Sequence, residues 1–198
     1  MKQLPKTKKL PRSFYNRPTL DVAEEILGKF IVFNSPIGKL SARIVEVEAY
    51  IGQDDPACHA ARGMTKRNRP MFGPAGFSYL YLIYGMYNCL NFVTEPEGIP
   101  AAILLRGAEP NEGSDLMQQT SQKSSTSGLL SGPGKFCRAF GLTTEQNNLD
   151  LTGDLIYIES RNVEITNIKR ARRVGISVGQ DLLWRFYDAN STSVSKPR

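Results

Sequence analysis

Two glutamates one residue apart, in the run Arg43-Ile44-Val45-Glu46-Val47-Glu48-Ala49-Tyr50, mark where this chain could do acid–base chemistry. In a strand, alternate side chains share a face, so Glu46, Glu48 and Tyr50 line up while Val45, Val47 and Ala49 face the other way. The valine face reads as core. Strand rise puts successive carboxylates about 6.6 Å apart, which is tolerable in water or where a cation holds one of them. The same alternation fits the solvent face of an edge strand, and spacing alone does not separate the two readings.

His59 is the sole histidine. It lies just past the acidic strand, in a loop rich in Asp, Pro and Ala, and a lone histidine serves structure as readily as catalysis. Directly after it comes a basic cluster without an acid: Arg62, Lys66, Arg67 and Arg69. Further on, Tyr79, Tyr81, Tyr84 and Tyr87 crowd around Gly85-Met86. Cross-strand aromatic pairing accounts for such a group. So does a wedge: Tyr84 falls at the turn, where a flat side chain can project into a base stack. Enzymes that act on a base within a duplex must extrude it and read it by stacking.

The net charge of +6 is misleading as a nucleic-acid signal. Lys2, Lys6, Lys8, Lys9 and Arg12 supply five positives within residues 1–12, and the other 20 are nearly matched by 19 acids. A basic face must therefore come from the cluster above and from a second, Lys169, Arg170, Arg172 and Arg173. Such runs fit phosphate contact but also an ordinary solvated face. Cys58, Cys89 and Cys137 are odd in number and widely spaced, which suggests free thiols in a reducing, intracellular setting and no zinc site. No apolar run approaches the roughly 20 residues of a membrane span, and the basic N-terminus does not read as a secretory signal.

The elements that must position these residues are mostly short strands. FIVFN, ARIVEVEAY and AAILLR read as strands, and FSYLYLIY with YNCLNFV as a hairpin. LIYIE, VEITNI and RRVGIS return to strand patterns near the C-terminus. Thr19 is positioned to cap a helix over TLDVAEEIL that Gly28 ends, and GPGKFCRAFG predicts a short helix opened by Pro133 and closed by Gly141. The fold class expected is α+β, mainly antiparallel: one domain over residues 13–190, with a curved sheet surrounded by helices. Residues 1–12 and 191–198 read as loose tails and the serine-rich stretch 114–131 as a flexible loop.

Taken in order, EVEAYIG, DPACHAARGMTKRNRPMF, YLIYGMYNCLN, AAILLRGAEP, SGPGKFCRAFG, RRVGI and LLWRFYD resemble the alkyladenine (3-methyladenine) DNA glycosylases. The matches run from about Arg12 to Asp188, nearly the whole chain. The resemblance implies a base-excision-repair enzyme that flips alkylated or deaminated purines from duplex DNA and hydrolyses the N-glycosidic bond. It implies Glu48 as general base and Arg106 as the arginine that holds the attacking water. Tyr50 matches the ring on one face of the flipped base, His59 and Tyr81 the pair on the other, and Asn91 a pocket residue that rejects guanine. Tyr84 matches the intercalating side chain. Contacts to double-stranded DNA are expected from Arg62, Lys66, Arg67, Arg69, Met86, Arg172 and Arg173. No cofactor or metal is implied, and a monomer is expected. Two other readings fit fewer residues. A module that only binds nucleic acid leaves the Glu46–Glu48–Tyr50 face unused, and a hydrolase of small nucleosides has no use for the basic clusters. A Glu48 sunk in the apolar core, or a base slot filled by the protein's own side chains, would exclude the glycosylase chemistry.

Overall fold

The alternating segments pair into a sheet of nine strands, all neighbours antiparallel, in a computed structural model that describes residues 8–195. The strands are β1 (Lys8–Lys9), β2 (Phe30–Ser35), β3 (Gly38–Ile51), β4 (Ser78–Ile83), β5 (Tyr87–Val93), β6 (Ala101–Glu112), β7 (Ile156–Ser160), β8 (Ile168–Ala171) and β9 (Arg185–Asp188). Their order is β1-β7-β2-β3-β6-β5-β4, with β9 beside β3 and β8 beside β9. The helices are α1 (Arg12–Tyr15), α2 (Thr19–Glu25), α3 (Ser114–Ser121) and α4 (Pro133–Phe140). This is the α+β, mainly antiparallel single domain that the sequence predicts, and no helix among the described residues is long and apolar enough to cross a membrane.

The main core lies on one face of the sheet. Val47 and Ala49 join Leu80, Leu90, Phe92, Ile103 and Leu105 there, packed under α2 and α4. Burying each large apolar side chain contributes about 1.5–3 kcal/mol, so this face anchors the sheet. The opposite face carries a smaller cluster of Cys58, Ala60, Met71, Tyr79, Val93 and Ala102, with Tyr50, Phe72, Phe77 and Tyr81 against it. The three cysteines are free and buried.

Strand β3 is the hub. One edge pairs with β6 along its length, while the other is shared, β2 taking Gly38–Arg43 and β9 taking Glu46–Glu48. The β3–β6 register shifts around Glu46, where Glu46 pairs with Gly107 but Val47 with Leu105, so Arg106 is the extra residue of a bulge. Such bulges bend a strand pair and re-aim a side chain.

Several expectations need correction. Helix α2 has no side-chain cap from Thr19; instead Glu95 accepts from Thr19 N at 2.6 Å and from its hydroxyl at 2.8 Å, placing an acid at the helix start. The serine-rich stretch is not a plain loop: Ser114–Ser121 is α3, which buries Met117, and Leu129 and Leu130 are in the core. Of VEITNI only Ile168 enters the sheet, and RRVGIS forms no strand; β8 is Ile168–Ala171, the stretch that joins them. Loose tails do not describe residues 8–12 or 191–195. Lys8 and Lys9 pair with Ser160 and Glu159, Arg12 binds Asp150 and Ala75 O, and Ser195 is buried. Residues 1–7 and 196–198 of those segments lie outside the described residues.

Candidate active site

Sheet register gathers the site. Arg185, Glu48, Leu104, Asn91 and Tyr79 are successive pairing partners across β9, β3, β6, β5 and β4, so five strands present one row on one face. Tyr50, two residues from Glu48, and Tyr81, two from Tyr79, flank that row on the same face. It is the face opposite the main core, as alternation predicts.

Neither carboxylate is a solvent-facing edge group. Both faces of β3 are buried here, and Glu46 and Glu48 are fully enclosed. Their surroundings are polar, which separates them from the apolar core. Glu48 Oε1 accepts from Val174 N at 2.6 Å; Oε2 accepts from the Tyr50 hydroxyl at 2.9 Å and Arg106 Nη1 at 3.3 Å. Glu46 accepts from Arg185 Nε at 2.6 Å, Ser195 N at 2.5 Å, Ser195 Oγ at 2.8 Å and Arg106 Nε at 3.3 Å. The bulge places Arg106 between the two acids, which answers how like charges can sit so near.

These contacts tune protonation. Burial raises the Glu48 carboxyl above its ordinary value, while Arg106, the Val174 amide and Tyr50 pull it back; the nearby Glu46 adds to the rise. A carboxylate lifted toward neutrality is a better proton acceptor while still able to ionise. Burial and then Glu48 push the Tyr50 phenol well above its usual range, so it donates rather than ionises. Arg106 is lowered by burial, but Glu48 and Glu46 outweigh this and raise it overall.

Beside the carboxylate stands an aromatic group. His59 and Tyr81 meet edge to face at 4.6 Å between centroids, and Tyr79 and Tyr81 are tilted at 5.3 Å. His59 Nδ1 is 2.9 Å from the Tyr79 hydroxyl, and burial followed by Arg67 lowers the pKa of its ring. The Arg67 guanidinium lies 4.9 Å over Tyr81 and donates to Leu82 O. Asn91 Nδ2 donates to the main-chain oxygens of Tyr79 and Cys89, which fixes the orientation of its amide.

At the hairpin tip Tyr84 is 79% exposed and Met86 64%. Tyr84 has φ 53°, a left-handed conformation unusual for an aromatic residue. Strain of that kind persists where surrounding geometry enforces it, here the tight Tyr84-Gly85-Met86 turn closed by Met86 N to Ile83 O. Arg62, Lys66, Arg67, Arg69 and Arg172 are exposed.

Arg173 is not exposed. Its side chain is fully buried, donates to Ala49 O at 2.9 Å, and pairs with both oxygens of Asp55 at 2.6 and 2.7 Å. It lies 4.7 Å over Tyr50 and 5.2 Å over Trp184. Arg173 is therefore unavailable to DNA phosphate, and the expectation that it binds DNA is corrected: the chain turns inward after β8, and of the run Lys169, Arg170, Arg172 and Arg173 only the last is buried, on Asp55. The sequence reading also passed over Asn68, which donates to His59 O and Gly63 O and accepts from Thr65 N, holding the histidine loop. Val174 N, Asp55, Arg185 and Ser195 were missed as well. The one available hint for Asp55 was its place in the acidic loop that leads to His59, seven residues before Arg62.

An antiparallel α+β sheet that carries a buried carboxylate–arginine pair and an aromatic group on one face fits the class of DNA glycosylases. The chain belongs to the methylpurine-DNA glycosylase family, whose family model matches residues 13–192. Relatives named "Putative 3-methyladenine DNA glycosylase" include one from Methanocella arvoryzae, 51% identical over 94% of this chain and 96% of its own length. Another from Sodalis glossinidius is 50% identical over 89% and 95%, and one from Desulfitobacterium hafniense 46% identical over 95% and 98%.

Proposed function

We propose that this DNA glycosylase excises alkylated or deaminated purines of the 3-methyladenine type from double-stranded DNA by hydrolysis, leaving an abasic site. The observation that carries the reading is the Glu48–Arg106 pair at 3.3 Å, next to Tyr50, on the face that also presents Tyr81 and His59.

Hydrolysis of an N-glycosidic bond passes through a sugar with strong positive character. The Glu48 carboxylate stabilises that charge and takes a proton from the water that attacks the anomeric carbon, while Arg106 orients both. The bond to the purine breaks and the base leaves with its electron pair. Because Tyr50 and Arg106 close off Glu48 at rest, entry of the nucleotide must displace the Tyr50 hydroxyl from Oε2.

Tyr50 on one side and His59 with Tyr81 on the other bind the extruded base. A cationic alkylpurine gains about 0.5–2 kcal/mol there by cation–π attraction. Asn91, pinned by two main-chain oxygens, rejects guanine through its exocyclic amine. Tyr84 and Met86 fill the gap in the duplex, and Arg62, Lys66, Arg67, Arg69 and Arg172 contact phosphate. No amine nucleophile belongs to this scheme, so base removal proceeds without a lyase step. The enzyme acts as a monomer inside the cell, without cofactor. A module that merely binds nucleic acid has no use for an enclosed carboxylate–guanidinium pair.

Glu48→Gln tests this. The variant keeps its shape but cannot accept the proton, so release of methylpurine from an alkylated duplex stops while duplex binding persists. Base release at near wild-type rate removes Glu48 from the role.

A further inference from the structure

The hydrogen bonds of Glu46 go to Arg106, Arg185 and Ser195 and none to Tyr50, His59 or Tyr81, yet it is the most heavily bonded acid on this face. Its Oε1 receives Arg185 Nε, Ser195 Oγ and Arg106 Nε, and its Oε2 receives Ser195 N. Arg185 in turn donates to Ser195 O at 2.9 Å. The Ser195 hydroxyl also accepts from Arg106 Nε at 3.3 Å and Nη2 at 3.2 Å. Arg106 is thus gripped along its Nε–Nη2 edge by Glu46 and Ser195, leaving Nη1 for Glu48.

The approach of the C-terminal segment is built into β6. A Cβ on Gly107 would lie 2.8 Å from Ser193 O and 3.1 Å from Glu46 Cβ, so glycine lets residues 191–195 close over the pair. Two carboxylates, Glu46 and Glu48, face two guanidiniums, Arg106 and Arg185, in one enclosed set. Without Glu46 the only acid left to Arg106 within this set is Glu48. Its whole charge would then fall on the base, blunting the affinity of Glu48 for a proton.

We propose that Glu46, clamped by Arg185 and by residues 191–195, is a positioning residue that holds Arg106 by one edge and keeps it from collapsing onto Glu48. This rests on the proposed role of Glu48 as base and assigns a distinct task to the second carboxylate and to the C-terminal segment.

The test compares Glu46→Gln, Ser195→Ala and Glu48→Gln in single-turnover excision from methylated duplex across pH, alongside duplex affinity. The groups facing Glu48 are Arg106 from β6, Glu46 and Tyr50 from β3, Val174 N and Arg173 from the loop after β8, and Cys89 from β5. Glu46→Gln removes the one fixed negative neighbour and frees Arg106, both of which lower the Glu48 pKa. The acidic limb of the rate profile then moves to lower pH, and the plateau rate falls about tenfold or more as Arg106 loses its geometry. Ser195→Ala slows excision about threefold at unchanged duplex affinity, and it keeps the test alive should Glu46→Gln fail to fold. An unmoved limb in Glu46→Gln, or wild-type excision by Ser195→Ala, overturns the positioning role. Full activity in Glu48→Gln instead sinks the underlying function.

Discussion

Arg173→Ala distinguishes a buried structural cation from a phosphate contact. The wild-type guanidinium is enclosed with Asp55, and truncation leaves that carboxylate in place without its charge partner. Breaking a buried pair from one side costs about 3–5 kcal/mol. Asp55 retains amide donors from Ala57 at 3.0 Å and Ile51 at 3.3 Å, which sets the loss near the low end, about 3 kcal/mol. With an unfolding entropy of about 2.1 cal/mol/K per residue, the 198 residues give about 0.4 kcal/mol/K, so Tm falls by about 7 °C. Thermal unfolding reads this directly. The companion assay is the dependence of undamaged-duplex affinity on salt, where a lost phosphate contact makes the log–log slope shallower by about 0.9. Arg173→Ala leaves that slope unchanged, whereas Arg172→Ala, at the exposed neighbour, makes it shallower and leaves Tm alone. A stable Arg173→Ala protein with a shallower slope would refute the reasoning.

Three other substitutions probe the tip, the histidine and the bulge. Tyr84→Gly relieves a positive φ, so Tm holds within a few degrees, while capture of a lesion-containing duplex weakens by about 1–3 kcal/mol of lost stacking, read by titration. Arg67→Ala raises the His59 pKa part of the way back, since burial and then Arg67 lower it, and NMR titration of the sole histidine follows it without overlap. By sign, the depressed His59 value gives stability above the unfolded pKa of about 6.5 that is lost as pH falls through the folded value, and Arg67→Ala narrows that window. Gly107→Ala forces the Ser193 backbone away, costing about 1–3 kcal/mol in thermal stability and slowing excision together with it.

The regular parts of this architecture were legible because their signals are local. Val47 and Ala49 alternate with Glu46, Glu48 and Tyr50, Pro133 and Gly141 bracket α4, and the hairpin around Gly85 follows from two apolar runs meeting a turn. What escaped depends on contacts distant in sequence. Nothing near Arg106 announces a bulge, since an extra residue is defined by what its partner strand does. Ser195 gains meaning only because β9 returns to β3 and carries the segment after it over Glu46. The apolar residues of α3 are sparse, so composition read as loop where Met117 reaches the core. Arg172 and Arg173 share a type and a neighbourhood but not a fate, as turn geometry decides which one finds Asp55.

The double sharing of β3 governs how this enzyme can fail. The strand that carries both acids is hydrogen-bonded on each side at Glu46–Glu48, by β6 and by β9, while its other half holds β2. Amides so placed open only when the whole sheet does. The two carboxylates therefore have no private route to disorder, and heat inactivation should coincide with global melting rather than precede it.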